Sequence, residues 1–345
     1  MTMVLSSRIW SAAALGLATA LVATGCASSP AAEPAAPQAG ESAEALEPID
    51  VNFGYIPDFN GTSLLAIAED QGIWEKYALN VETLSFTNGP LQIQALGTGD
   101  LDFGYIGPGA MWLPASGQAK VVAINTLGKA DRVVAQPGID SIEDLRGQTV
   151  AVPEGTSGDM ILTLALAEAG MTKDDIELVP MEPSAIVAAL SSGQVQGAGF
   201  WYPGLATVKE NVPDLVELAQ NTDFVDQIAF PTAFVAGNDV VANEGEKVQR
   251  VLAALREAID YRASNPEDAI ALTAAFLAIS EEQVAADAGN VQIMSLAELD
   301  ELTEDGTVNT WLSGMVDYFV GAGKLTEPAD PADFYTGDLF LGAGE

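Results

Sequence analysis

The stretch Thr149–Asp159 combines residue types that could bind an anion without any basic side chain. Its first four residues predict an apolar strand, and Thr156 or Ser157 would then cap a following apolar helix. The first N–H groups of a helix have no partner within it, and the helix dipole adds about half a positive charge there. Gly155 would let the backbone approach a ligand, with the two hydroxyls beside it. The pattern indicates an anion-binding site, although an ordinary capped helix would look the same.

The organisation around this stretch is repeated within the chain. Ala95–Asp102 ends a predicted helix, turns on glycine and enters a strand, and Ala189–Gln196 does the same. A helix, a glycine and a strand precede each copy. For the first copy the helix is at 63–70, the glycine at 72 and the strand at 80–86. For the second copy the helix is at 157–169, the glycine at 170 and the strand at 176–181. Two such α/β lobes, with their strand-end loops facing each other, would form a cleft.

Further candidate ligand-binding residues lie at the ends of predicted strands. Trp201 and Tyr202 each pair an apolar body with a polar tip, which favours a cleft wall, whereas core packing is the better interpretation for Phe200. Tyr55 and Asn60, at the end of the first strand and in the loop after it, could also line the cleft. The alternatives are that Tyr55 packs at an interface and that Asn60 forms a turn. The candidates outside the central stretch are Tyr55, Asn60, Gly107, Pro108, Asn125, Trp201, Tyr202 and Thr232.

The first 26 residues have the features of a lipoprotein signal peptide. Arg8 precedes an apolar run, 12–23, that is shorter than the roughly 20 residues needed to span a membrane. The run is followed by Thr-Gly-Cys and resembles a bacterial lipobox, and Cys26 is the only cysteine of the protein. We expect Cys26 to carry a lipid anchor, with ordinary signal cleavage as the alternative. We expect a disordered tether over 27–48, because its Ala, Pro, Glu and Ser residues cannot bury enough apolar surface to fold.

The charge balance argues against two classes of partner. The sequence has 49 Asp and Glu against 13 Lys and Arg, no His, and a formal net charge of −36. This charge argues against nucleic acid and against anionic lipid, so membrane attachment would depend on the lipid anchor alone. We interpret the acidic surface as an adaptation to a saline or alkaline setting. Because the Debye length is about 8 Å at physiological ionic strength, distant carboxylates would not prevent an anion from binding in a closed cleft.

The residues that the chain lacks exclude several classes of enzyme. Without His, and with one Cys, it can form neither a Ser-His-Asp nor a Cys-His site, nor a His-ligated zinc site. It has no G-x-x-x-x-G-K-[ST] loop, and its G-x-G spacings lack the context of a dinucleotide site. We expect no enzyme activity, no metal and no cofactor. An exported hydrolase with paired carboxylates is the alternative from another class.

Motifs in both halves resemble the solute-binding proteins of ABC importers, in particular the taurine, alkanesulfonate and nitrate branch. The likeness runs from about Ile49 to the end of the chain, and the segments that carry it are 54–55 (GY), 99–104 (GDLDFG), 144–153 (DLRGQTVAVP), 185–190 (AIVAAL) and 201–203 (WYP). The resemblance implies an α/β, two-lobed periplasmic-binding-protein-like fold of type II. Two crossing hinge strands join the lobes, which close on a ligand before the closed form meets a membrane permease.

The resemblance also implies an organisation and a function. It places lobe 1 at 49–131 and 232–345 and lobe 2 at 132–231. We expect a monomer on the outer face of the cell membrane, or in the periplasm, that delivers a small organic anion such as taurine or an alkanesulfonate to a permease and its ATPase. Nitrate, a thiamine-pyrimidine precursor and a transporter-independent sensor role are alternatives.

Residue by residue, Thr156 and Ser157 match the hydroxyl pair of the taurine-type anion site, and Trp201 matches a tryptophan that ends a strand of the second lobe. One departure lies at Gly107–Gly109, where this chain has Gly-Pro-Gly and taurine-type members usually have Gly-Ser-Ser. The first lobe therefore loses hydroxyl donors.

A second departure concerns the ligand's ammonium group. Phe234 occupies the position, shortly after Pro-Thr, where we expect an acidic residue. This favours a less cationic or more apolar ligand than taurine. Asp58 or Asp226 could substitute for the missing carboxylate.

Overall fold

Two β-sheets, each covered by helices, organise residues 46–344, the part of the chain that the computed structural model describes. The predicted signal peptide, Cys26 and most of the predicted tether lie outside these residues. The strands are β1 (Ile49–Tyr55), β2 (Leu79–Ser85), β3 (Phe103–Ile106), β4 (Lys120–Gly128), β5 (Asp131–Ala135), β6 (Thr149–Val152), β7 (Glu177–Pro180), β8 (Gly197–Trp201), β9 (Val216–Gln220), β10 (Pro231–Ala236) and β11 (Val291–Ile293). The helices are α1 (Phe59–Asp70), α2 (Ile73–Lys76), α3 (Gly89–Thr98), α4 (Trp112–Ala115), α5 (Ser157–Glu168), α6 (Pro183–Ser191), α7 (Gly204–Asn211), α8 (Asn238–Asn243), α9 (Gly245–Ser264), α10 (Pro266–Leu277), α11 (Glu281–Ala288), α12 (Leu296–Glu304), α13 (Thr307–Gly321), α14 (Pro331–Phe334) and α15 (Gly337–Leu341).

Each sheet has a parallel part and an antiparallel part. The six-stranded sheet has the order β11-β4-β10-β3-β1-β2, with β1 parallel to β2 and β3, and β10 antiparallel to β3 and β4. The five-stranded sheet has the order β7-β6-β8-β5-β9, with β6 parallel to β7 and β8, and β5 antiparallel to β8 and β9. We call the part built on the six-stranded sheet the first lobe and the part built on the five-stranded sheet the second lobe.

The chain crosses between the sheets twice. It leaves the first lobe after β4 ends at Gly128 and enters the second where β5 begins at Asp131. It returns between β9 and β10, and the Gly128 N–H donates to the Phe230 carbonyl (2.9 Å), so the two crossings are hydrogen-bonded to each other. The predicted fold class, an α/β two-lobed fold with two crossings, is confirmed.

Buried aromatic residues organise the core of the first lobe. Phe53 stacks on Phe103 with ring centroids 5.7 Å apart and meets Phe234 edge-on at 5.6 Å. Phe234 is fully buried, and its ring also lies 5.8 Å from that of Tyr105. Aromatic pairs of this kind contribute about 0.5–1.5 kcal/mol beyond the area that they bury. The side chain that replaces the expected acidic residue is thus part of the core.

The predicted internal repeat is present in both lobes. The order α1, β2, α3, β3 in the first corresponds to α5, β7, α6, β8 in the second. The largest difference from the sequence prediction is at α1, which begins at Phe59, four residues before the predicted start at Ser63. Asp58 explains the early start, because its carboxylate caps the helix by accepting from the Gly61 N–H (2.6 Å).

A helix that crosses a bilayer must be both long and apolar. No helix within residues 46–344 meets both requirements.

Candidate ligand-binding site

A cavity of about 40 Å³ lies where the strand-end loops of the two lobes meet. A single ordered water needs about 10–15 Å³ on this measure, so the cavity could hold a few waters or one compact solute. The lining residues are Ile56, Asp58, Asn60, Gly89, Tyr105, Gly107, Pro108, Ala110, Gly128 and Thr232 from the first lobe, Ala130 from the first crossing, and Asp131, Thr156, Ser157 and Trp201 from the second lobe.

A hydrogen-bonded group holds the polar side chains of the first lobe in place. Asn60, in the first turn of α1, accepts through Oδ1 from the Thr126 hydroxyl (2.7 Å), and the Thr126 and Thr232 hydroxyls lie 2.9 Å apart. Asn125 Nδ2 donates to the Asn60 carbonyl (2.9 Å). This network uses the side-chain oxygen of Asn60, so Nδ2 is the group that it can offer to a solute.

The second lobe contributes the N-terminus of α5. The prediction that Thr156 would cap this helix is correct for its position, but not for its hydroxyl, which donates to the Pro153 carbonyl (2.6 Å). Asp159 instead reaches back and accepts from the Gly155 N–H (3.0 Å). The Thr156 hydroxyl proton is therefore committed within the loop, whereas the Ser157 hydroxyl faces the cavity beside Asp131, whose pKa it lowers.

Asp131 is a further cavity residue from the second lobe. It begins β5 and is 3% exposed. Asn221 binds it reciprocally: Asn221 Nδ2 donates to the carboxylate Oδ2 (2.9 Å), and the Asp131 N–H donates to Asn221 Oδ1 (2.7 Å). The other carboxylate oxygen, Oδ1, is buried without a hydrogen-bond partner among the residues that the structure describes.

Burial makes the carboxyl groups at this site hard to ionise. It raises the pKa of Asp58 well above its usual value, and the charges of Asp287 and Asp131 raise it further, against the N–H groups of Gly61 and Asn60. Burial also raises the pKa of Asp131, although the nearby Ser157 hydroxyl and the Asn221 amide oppose this. For Asp287 burial raises the pKa to about 6, against the Phe59 N–H that donates to it. Removing a carboxylate from water disfavours its charged form, so each group favours a neighbouring positive charge.

Tyr105 is the phenol of the cavity wall. Burial and the negative charge of Asp58 raise its pKa well above 10, whereas the Thr232 hydroxyl lowers it. Tyr105 is therefore a neutral hydrogen-bonding group at ordinary pH. In the described part of the chain no Lys or Arg lines this cavity.

Direct contacts hold the lobes together over the cavity. Gly109 of the first lobe lies so close to the start of α5 that an added Cβ would be 2.1 Å from the Thr156 carbonyl carbon and 2.2 Å from the Ser157 nitrogen. Trp112 Nε1 donates to the Gly155 carbonyl (3.2 Å), and Asn88 Nδ2 donates to Glu182 of the second lobe (3.1 Å). The structure is therefore the closed arrangement of the two lobes.

The structure brings many of the predicted site residues together and leaves four away from the cavity wall. Asn60, Gly107, Pro108, Thr156, Ser157, Trp201 and Thr232 line the cavity. The four that do not are Tyr55, Asn125, Gly155 and Tyr202.

Each of these four residues has a different structural role. The Tyr55 ring packs edge-on against Phe276, with centroids 5.5 Å apart. Asn125 is fully buried behind the wall, and the Gly155 carbonyl accepts from Trp112. Tyr202 lies beneath Arg132 and Lys209, each 5.5 Å from its ring centroid, and lines a separate open groove together with Pro57 and Ser280.

Sequence reasoning missed Asp131 and Tyr105 as cavity residues and named Asp58 only as a substitute. Asp58 follows a proline in a predicted loop, and Asp131 lies in the predicted crossing. The position of Asp131 in the crossing could have identified it as a cavity residue, because residues where the chain passes between two lobes must lie near the cleft. Asp226, the other proposed substitute, is exposed and does not line the cavity.

Residues 46–344 contain no group of three His, Cys, Asp or Glu side chains arranged to hold a metal ion. The acidic residues of the cavity are therefore not arranged as a metal site.

Two α/β lobes, joined by two crossings and closed over a small cavity, define the fold of periplasmic solute-binding proteins. The family model described as NMT1/THI5 like matches residues 60–269, and the chain belongs to this family.

Relatives and solved structures agree with this fold. A Brucella abortus (strain 2308) protein named "Putative binding protein" is 53% identical over 292 residues, which cover 85% of this chain and 92% of that protein. The taurine-binding periplasmic protein of Escherichia coli (strain K12) is 25% identical over 273 residues, 76% of this chain and 83% of that one. The alkanesulfonate-binding protein SsuA from Xanthomonas axonopodis pv. citri, solved bound to MOPS, has a TM-score of 0.68 at 21% identity, and the match covers 85% of this chain and 99% of that one.

Proposed function

We propose that this protein is the extracytoplasmic solute-binding component of an ABC importer and that it captures a small organic sulfonate, such as taurine or an alkanesulfonate, between its two lobes. The observation that carries the proposal is the cavity between the lobes, whose polar wall comes from both of them. The names of two relatives, a taurine-binding protein and an alkanesulfonate-binding protein, suggest the ligand class.

Neutral donors around the cavity support a sulfonate as the ligand. Ser157 begins α5 and contributes its hydroxyl together with an N–H group of the helix start, while Asn60 contributes Nδ2 from the first lobe. Each hydrogen bond to a charged group contributes about 1.5–3 kcal/mol. Four such bonds would contribute about 6–12 kcal/mol, a range that includes the roughly 8 kcal/mol of micromolar binding, before the cost of ordering the ligand.

In this mechanism the ligand shifts an equilibrium between open and closed lobes. The closed form brings Ser157 of the second lobe and Asn60 of the first to one cavity, so a solute that contacts both stabilises closure. Delivery follows when the closed form docks on the permease. We propose a division of the chain that differs by one residue at each boundary from the predicted one, with lobe 1 at 49–130 and 231–345 and lobe 2 at 131–230, because β5 begins at Asp131 and β10 at Pro231.

A thermal-shift screen of the chain from Ala27 onward tests the ligand class. The ligands are taurine, ethanesulfonate, sulfate, nitrate and a thiamine pyrimidine, because a ligand that binds only the folded state raises the melting temperature by mass action. We expect a sulfonate to give the largest shift and Ser157→Ala to reduce it. Ser192→Ala, at an exposed position after α6, is the matched control. A larger shift with nitrate or the pyrimidine would replace the sulfonate as ligand.

We also propose that Cys26 carries the lipid that attaches the protein to the membrane. Fractionation of cells that express the full chain tests this, with Cys26→Ala as the variant. The parent should sediment with membranes and the variant should be released. Equal distribution of the two would contradict a lipid anchor.

A further inference from the structure

The cavity wall carries two carboxyl groups from opposite lobes. Asp58 comes from the loop before α1 of the first lobe, and Asp131 begins β5 of the second. Both are less than 10% exposed. Since the lining residues of the described chain include no Lys or Arg, no side chain of the wall neutralises them. A sulfonate alone would leave this part of the wall without a complementary group.

Each carboxylate is held as a hydrogen-bond acceptor. Asp58 uses Oδ1 to accept from the Gly61 N–H (2.6 Å), and Asp131 uses Oδ2 to accept from Asn221 (2.9 Å). Asp131 Oδ1 is buried, and no donor among residues 46–344 makes a hydrogen bond of normal geometry with it, although the Ser157 hydroxyl is near enough to lower the Asp131 pKa. A buried acceptor without a donor costs about 1–3 kcal/mol, more when it is charged, and a solute with N–H groups would remove that cost.

The surrounding charges increase the need for a cation. Asp287 of α11 lies close enough for its negative charge to raise the pKa of Asp58. Arg262 is fully buried and donates to the Ser63 hydroxyl and the Asn125 carbonyl, so it lies behind the wall. The charge of Arg132 lowers the pKa of Asp131, but its guanidinium donates to Asn290, Glu217 and the Asp131 carbonyl rather than to the Asp131 carboxylate, and Arg132 does not line the cavity.

We propose that Asp58 and Asp131 form a subsite for an ammonium group and that the protein selects solutes which carry one. The ammonium would donate to Asp131 Oδ1 and to the Asp58 carboxylate, and would thereby join the two lobes. This inference rests on the proposed function and makes it more specific: the sulfonate that is captured carries an amine. It also makes the cation a condition for closure, because two carboxylates from opposite lobes repel each other when the lobes meet.

Two other uses of the carboxyl pair fit the geometry less well. A hydrolytic acid–base pair would need the carboxylates to be free to exchange protons with a substrate, whereas each has one oxygen committed to structural donors. A metal site would need three suitable ligands, and the described residues contain no such group. An organic cation needs only acceptors.

Three probes of similar size separate the two charges: taurine has an amine and a sulfonate, ethanesulfonate has the sulfonate alone, and ethylamine has the amine alone. The experiment is calorimetric titration of the full chain, purified in detergent, with each probe. We expect taurine to bind at least tenfold more tightly than ethanesulfonate. Ethanesulfonate binding as tightly as taurine would overturn the inference and leave the proposed function in place.

The remaining outcomes are also distinct. Binding of ethylamine without either sulfonate would support the ammonium subsite and refute the sulfonate proposal. Failure of all three probes to bind would refute both.

Matched variants connect the preference to the two side chains. Asp58→Asn and Asp131→Asn preserve the shape and one acceptor oxygen while removing the charge, and we expect each to reduce the affinity for taurine about 10- to 100-fold, with little change for ethanesulfonate. Asp226→Asn, at an exposed position, is the control and should change neither. Melting temperatures of the ligand-free variants at or above that of the parent would show that they fold. Variants that fold and retain the parent's preference for taurine would overturn the inference.

Discussion

Gly109→Ala is expected to block closure of the lobes while leaving each lobe folded. The added Cβ would lie 2.1 Å from the Thr156 carbonyl carbon and 2.2 Å from the Ser157 nitrogen. These are backbone atoms at the start of α5, so no side-chain rotation can relieve the overlap. Ordinary van der Waals contact begins at 3.4 Å, so the two lobes would have to separate at this point by about 1.3 Å (3.4 − 2.1).

A separation of this size would break the contacts that depend on closure. The hydrogen bond from Trp112 Nε1 to the Gly155 carbonyl, 3.2 Å long, would lengthen beyond bonding distance, and a solute could no longer contact Ser157 and Asn60 together. Loss of one or two charge-assisted hydrogen bonds to the ligand corresponds to about 2–4 kcal/mol, or roughly 30- to 1000-fold in affinity.

Calorimetry with the strongest ligand of the thermal-shift screen measures this loss, and small-angle scattering measures closure. Gly97→Ala is the control, because Gly97 lies in α3 and an added Cβ there meets nothing within 4 Å. It should leave binding unchanged and raise stability by about 0.5–1 kcal/mol. If Gly109→Ala binds as the parent does, with the same ligand-induced compaction, the close contact at Gly109 does not govern ligand binding.

Further predictions concern stability and the site. Asp287→Asn should raise the free energy of unfolding by up to about 3 kcal/mol at pH 7.5 and by little at pH 4. The reason is that the folded pKa of Asp287 is raised from 3.8 to about 6, so this carboxyl destabilises the parent protein as the pH rises through that range. Denaturant titrations at both pH values measure the effect, and equal effects at the two pH values would contradict it. Thr156→Ala should lower stability by about 1 kcal/mol, because it loses the hydrogen bond to the Pro153 carbonyl, whereas Ser157→Ala should lower ligand affinity. Thermal melting measures the first effect and calorimetry the second. If Thr156→Ala lowered affinity and Ser157→Ala lowered stability, Thr156 would be the ligand donor and Ser157 the structural residue. Ligand should perturb tryptophan fluorescence in the parent and much less in Trp201→Phe, whereas equal responses would place the signal elsewhere. The melting temperature should rise with NaCl, since the net charge is −36, and no dependence on salt would argue against a saline adaptation.

Sequence periodicity and capping signals predicted much of the fold because they are local. The strand Thr149–Val152 has the predicted bounds, and the repeat of helix, glycine and strand indicated the two-lobed organisation. The start of α1 was missed because Pro57 and Asp58 are typical of a turn as well as of a helix start. The hydrogen bond from the Gly61 N–H to the Asp58 carboxylate shows that Asp58 begins a helix here.

The site was predictable where it follows strand ends and unpredictable where it depends on neighbours distant in sequence. Ser157 and Trp201 follow or end strands and line the cavity, as their positions indicated, and their contacts with a ligand stay predictions. Tyr202 comes one residue later and is held instead by Arg132 and Lys209. Among 49 acidic residues, Asp131 has no local signal that separates it from the others, because its burial depends on Asn221, 90 residues away.

The most direct test of the account is a crystal structure of the protein with taurine. We predict closed lobes and a single taurine in the cavity, with its ammonium group between Asp58 and Asp131 and its sulfonate near Ser157. Taurine in the open groove beside Pro57 and Tyr202, with only water in the cavity, would contradict the account.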